Sequence, residues 1–169
     1  MENRLTTNHA NSQGITAFLA DVEVRLAEAT AQGRSTQAFV LQIAERYAYI
    51  RPQDAPKHPK QFLKQMAGQP PVRFGTAGFR KSIVDDKEPA RHYTAFVFVG
   101  YWLPTLLAIP VLWAWEILGF FRYGHWSQPD IRSGRIGIRH GRAVRNQGPD
   151  ILPTLIRRDL TEARESVGQ

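Results

Sequence analysis

Ile15, Phe18, Leu19, Val22, Leu26 and Ala29 recur at helical spacing with polar residues between them. The spacing predicts an amphipathic helix over residues 14–32, and Gly33 supplies a stop. Ser35 is placed to cap a second helix, on which Phe39, Ile43, Tyr47 and Ile50 share one side. Joined by the short turn at Gly33-Arg34, the two are expected to form a helical hairpin over 14–50. Near the other end, Leu152, Ile156 and Leu160 repeat every four residues. They predict an amphipathic surface helix within 150–166.

Between these periodic stretches the pattern changes twice. Over 51–87, Pro52, Pro56, Pro59, Pro70 and Pro71 interrupt any regular element. This reads as a basic linker or strap, with room for one short helix around Lys60–Met66. Inside it lies Phe74-Gly75-Thr76-Ala77-Gly78-Phe79-Arg80-Lys81-Ser82. A phosphate-binding loop needs glycine directly before Lys-Ser, and here Phe79 and Arg80 intervene. The first five of these residues resemble the opening Phe-Gly-Thr-Ala-Gly of phosphohexomutases, but the phosphoserine signature of those enzymes is absent from this chain. The stretch is read as a glycine turn.

The second change is an uncharged run of 23 residues, Tyr93 to Trp115. A run of about 20 apolar residues can span a bilayer core, and aromatic residues flank this one as they flank membrane spans. Pro104 and Pro110 argue for a break, since each removes a helix hydrogen bond. A hairpin of helices 89–103 and 105–120 is therefore weighed against a straight span. Phe96, Trp102, Trp113 and Phe120 are the expected membrane or partner contacts. The hairpin would serve either as the core of a bundle or as an element dipping into one leaflet.

Ser127-Gln128-Pro129-Asp130 has the form of a capping box, opening a helix over 127–146. Arg132, Arg135, Arg139, Arg142 and Arg145 fall in one arc of this helix, and Gly134, Gly137 and Gly141 on the opposite side. Three interior glycines cost roughly 1 kcal/mol each relative to alanine. Close packing against the hydrophobic hairpin is the expected compensation. The arginine arc is the expected anion-binding surface.

Composition sharpens this in two ways. The formal charge is +7, divided as +4 over 1–92, −1 over 93–121 and +4 over 122–169. The mean hydropathy of −0.35 averages a polar chain with one apolar block. The chain has no cysteine, which excludes disulfides, thiol nucleophiles and cysteine-ligated zinc. Residues 1–13 form a polar tail, expected to be disordered, without the apolar stretch of a secretory signal.

Five histidines, His9, His58, His92, His125 and His140, lack metal-binding spacing, so no metal and no cofactor is expected. His92 lies twelve residues before Pro104 and Glu116 twelve after. A reversal at Pro104 would bring them together beside Arg91 and return the chain toward Asp130. Imidazole beside carboxylate is how a general base is built, and a structural ion pair is the plainer explanation.

The expected fold is all-α, with six or seven helices around a central hydrophobic hairpin and no sheet. The leading functional expectation is a non-catalytic, membrane-associated helical anchor or complex subunit contacting anionic lipid head groups or a protein complex. The alternatives are a small hydrolase or toxin-like effector using His92, Glu116 and Asp130, located in the cytoplasm, and a basic nucleic-acid-associated protein. For the last, no recognisable nucleic-acid-binding motif is present.

Overall fold

The computed structural model describes residues 14–54, 70, 72–85, 88–124 and 126–162. The polar tail 1–13, the short helix anticipated around Lys60–Met66, and His9, His58 and His125 lie outside them. Among the described residues there are six α-helices: α1 (Ile15–Ala31), α2 (Thr36–Ala48), α3 (Pro89–Trp102), α4 (Thr105–Tyr123), α5 (Gln128–Gln147) and α6 (Leu152–Leu160). Single 3₁₀ turns occur at Pro52–Asp54, Lys81–Ile83 and Pro149–Ile151. The one β-type contact among these residues is an isolated antiparallel bridge between Phe79 and Thr161. The chain is all-α, as the periodicities indicate.

The first two helices form where the apolar spacing places them. The chain turns at Gly33, which adopts φ 61°, and Ser35 Oγ accepts from the Ala38 amide at 3.2 Å. Their apolar faces meet in an aromatic cluster. Phe18 lies 5.3 Å edge-on from both Tyr47 and Phe74, and 6.1 Å from Tyr93. Val22, Phe39, Ile43, Leu152, Ile156 and Leu160 complete this core. Across the surface, Arg46 and Asp21 tie α2 to α1 at 2.6 Å.

The glycine turn at 74–80 joins parts of the chain that are remote in sequence. The carbonyls of Phe74 and Ala77 accept from the amides of Gly14 and Ile15, at 2.6 and 2.8 Å, capping the start of α1. The Arg80 amide donates to the Leu160 carbonyl at 2.8 Å, and Glu162 donates back to Gly78 at 3.1 Å. Phe74 and Phe79 turn inward. The phosphate-loop likeness thus covers a structural clasp.

The chain reverses between α3 and α4. Leu103 and Pro104 are both extended, with ψ of 143° and 151°. No helix among the described residues is long and apolar enough to cross a membrane. The two apolar arms are not buried alike. α3 runs through the centre of the fold and packs most intimately against α5. A Cβ added at Gly137 would sit 2.6 Å from the Tyr93 carbonyl. One at Gly100 would strike the Ile138 backbone, and one at Gly141 the Val97 carbonyl. The glycine side of α5 is therefore the surface against which α3 lies, and only hydrogen side chains permit that approach.

α4 runs back along α5, and its inward strip is Ala108, Leu112 and Glu116. Leu112 and Phe96 pack with Ile138, which corrects one expectation. Phe96 is only 3% exposed and is a core residue, not a membrane or partner contact, because it lies on the side of α3 covered by α4 and α5.

Candidate functional site

Three elements converge on the trio that the sequence singles out. His92 lies in the first turn of α3, Glu116 in the middle of α4, and Asp130 in the first turn of α5. Each offers one ligand-type atom, and these atoms all lie within 4.8 Å of one another. His92 Nε2 stands 3.8 Å from Glu116 Oε1. In an unbroken helix, positions so far apart would be about 36 Å from each other. The reversal at Pro104 therefore creates the cluster. Ser127 Oγ accepts from the Asp130 amide at 3.0 Å and fixes the α5 start.

Glu116 is 6% exposed. Burial, with like-charge repulsion from Asp130 and then Asp85, pushes its carboxyl up to about 7. Such a group can hold or release a proton near neutral pH. The His92 ring lies 4.9 Å from the Phe96 ring. Arg91, adjacent in sequence, is partly buried.

The arginine arc of α5 is exposed along its length, but its members differ. Arg139 pairs with Asp159 at 3.3 Å. Arg142 donates to Thr105 Oγ1 at 3.2 Å, and Arg145 to the Tyr101 carbonyl at 3.3 Å. These two bracket the α3–α4 corner. Arg132 and Arg135 lie toward the Asp130 end.

The outward face of α4 is apolar throughout. At 100° per residue, Trp113, Leu106, Ile117, Pro110, Phe121, Ala114, Leu107, Leu118 and Val111 cover an arc of about 160°, and all are exposed. Leu106 is 84% and Phe121 81% exposed. Of the large hydrophobic side chains exposed among the described residues, every one but Val24 lies between Trp102 and Trp126. Trp102 and Trp113, two of the expected contact residues, are exposed. Phe120 is half-buried, stacked 5.1 Å from Trp126. The single charged residue of the uncharged region, Glu116, points inward. A water-facing helix has the opposite arrangement.

One polar cluster went unnoticed in the sequence. His140 is buried on the glycine side of α5. Its Nδ1 lies 2.8 Å from Tyr93 Oη and its Nε2 2.9 Å from Asp159 Oδ2. Burial lowers the imidazole below its ordinary value. The hydrogen bond from Arg158, then that from His140, holds the Asp159 carboxyl well below the usual carboxylate range. This chain of contacts ties α3, α5 and α6 together, with Tyr93 1% exposed at its inner end and Asp159 partly exposed at its outer end. The available signal was position, since His140 falls between Gly137 and Gly141 on the face that must be buried.

No protein-family model, curated protein or solved structure matches this chain.

Proposed function

We propose that the protein is a non-catalytic, membrane-surface helical protein, an anchor or a subunit held at a bilayer interface. The observation that carries this reading is the inverted polarity of α4 over residues 105–121, apolar on its whole outward arc and with its one charge there, Glu116, turned inward. Contiguous exposed apolar surface of this kind marks a membrane or protein contact. Arg142 and Arg145 sit at the corner beside Trp102 and Leu106, which favours an anionic lipid surface over an uncharged partner. With α4 lying in the plane of the interface, its apolar side chains reach the acyl boundary and the arginines reach the head groups.

Co-sedimentation with phosphatidylserine/phosphatidylcholine vesicles tests this. The protein is expected to pellet with anionic vesicles. The Leu106→Ser/Phe121→Ser double variant is expected to bind at least tenfold more weakly at unchanged melting temperature. Protein that stays in the supernatant at low salt, or that forms a defined oligomer covering α4, overturns the lipid reading.

A second reading is favoured by the convergence of His92, Glu116 and Asp130. Under it the protein is a small all-α hydrolase, with Glu116 as the proton-transferring group, His92 as its partner and Asp130 as a neighbouring charge that tunes both. Loss of a measured hydrolytic activity in Glu116→Gln, with the fold intact, would be its signature.

A further inference from the structure

We propose that His92, Glu116 and Asp130 form a binding site for one divalent first-row transition-metal ion such as Zn2+ or Mn2+. The absence of metal-type spacing along the chain does not bear on this, because the three donors come from three different helices. The donor set is one imidazole nitrogen and two carboxylates, which suits such ions. Three protein donors with remaining positions for water is the composition of catalytic rather than purely structural sites.

Two further observations point to a cation. Glu116 is a buried carboxylate, and the ion pair that reaches it, from His92, is 3.8 Å long, beyond hydrogen-bond length. A buried carboxylate met by a pair of that length, with the Asp130 carboxylate within 4.8 Å, is costly when ionised. A dication placed among the donors removes that cost. The second observation is steric. A Cβ at Gly134, one turn beyond Asp130 on α5, would come within 3.4 Å of His92 Nε2 and 2.5 Å of Leu112 Cδ1. Glycine there lets Leu112 and Phe96 close on α5, and it places His92 Nε2 at van der Waals distance from the first turns of α5, beside Asp130 and Glu116.

The spacing also suits an ion. Bonds of roughly 2.0–2.2 Å in tetrahedral arrangement set donors about 3.4 Å apart. Donors now within 4.8 Å reach that by small rotations of the two carboxylate side chains. The site does not depend on lipid contact, so the proposal and the membrane reading stand or fall separately.

The test is calorimetric titration of the full chain, free of any histidine tag, with Zn2+ and Mn2+ in the absence of vesicles. Absorption of the Co2+-loaded protein reports the ligand field. One ion per chain is expected with either Zn2+ or Mn2+, with visible Co2+ bands and a raised melting temperature. His92→Ala, Glu116→Gln and Asp130→Asn should each weaken binding at least tenfold. Circular dichroism identifies which variants are folded, and Glu116→Gln, nearly isosteric, is the one expected to be at least as stable as the parent. Folded Glu116→Gln and Asp130→Asn proteins that bind like the parent overturn the proposal. So does a parent protein that binds no transition ion stoichiometrically or that binds only Mg2+ or Ca2+.

Discussion

α3 and α4 are neighbours in sequence, both drawn from the same apolar region, yet they are used in opposite ways. α3 is enclosed: the clustered faces of α1 and α2 cover one side, and the glycine side of α5 touches its backbone on the other. α4 is fully buried only at Ala108, Leu112 and Glu116, with Ile109, Trp115 and Phe120 half-buried beside them, and it turns the remaining arc outward. Apolar content therefore does not decide which helix is covered. The facing surface does. Gly100, Gly137 and Gly141 let α3 and α5 approach at backbone distance, and that contact uses up the small-residue face of α5. Only the Gly134 end is left for α4 to use.

This contrast can be broken or sharpened by substitution. The largest effect is expected from Leu112→Ala, which removes a fully buried side chain and should cost about 3–4 kcal/mol. Leu106→Ala, on the same helix, should change stability by less than about 0.5 kcal/mol. Urea unfolding of the two proteins decides it, and equal losses would mean that α4 is covered in solution. The next effect separates two glycines. Gly141→Ala forces a methyl group into the Val97 carbonyl and should cost about 2 kcal/mol, although alanine favours helix. Gly119→Ala, whose Cβ would meet nothing within 4 Å, should instead stabilise by up to about 1 kcal/mol. Like signs at both sites would refute the close-packed seam.

The smallest effect concerns the acid side of the seam. His140 is held below its ordinary value, so the unfolded chain takes up a proton that the fold refuses as pH falls below about 6.5. Asp159 is held low in the fold, so its contribution is present above about pH 4 and is lost as pH falls further. Both make stability rise with pH. The loss expected below pH 4 from Asp159 is about 1 kcal/mol, since its carboxylate is still partly wetted. The whole profile is best measured in Glu116→Gln, because between about pH 4.5 and 7 the raised Glu116 carboxyl contributes a slope of opposite sign. A flat stability profile from pH 7 to 3 in that protein would refute the assignment.

Much of the architecture can be read from residue spacing alone. The faces of α1, α2 and α6 are visible because polar residues outline them. The reversal is visible because Leu103-Pro104 interrupts an otherwise continuous run, and the meeting of His92 with Glu116 follows from their equal distances to Pro104. The glycines of α5 announce a close partner. What spacing cannot supply is direction within a stretch that is apolar on all sides. Nothing in the pattern distinguishes Phe96, which is buried, from Leu106, which is not, because no charged residue lies between His92 and Glu116 to mark an outer face. The Tyr93–His140–Asp159 chain was hidden for a related reason. Its members lie on three helices, and their pairing exists only once α3, α5 and α6 are in place.

The clasp at 74–80 has a consequence for the order in which the molecule is made. It holds the first turn of α1 and the last turn of α6 on one short loop, so its two halves close at different times: Gly14 to Phe74 early in synthesis and Arg80 to Leu160 late. The α1 half can form as soon as residues 14–80 are together. The α6 half must wait until Leu160 and Glu162 have left the ribosome. Closing so long a loop costs entropy before any contact offsets it, and folding dominated by such distant pairings is slow. During synthesis the nascent chain therefore passes through a stage with α3 and α4 emerged but α6 absent. At that stage Phe79 has no Thr161 to bridge to, and the outward arc of α4 is already available to a chaperone or a bilayer.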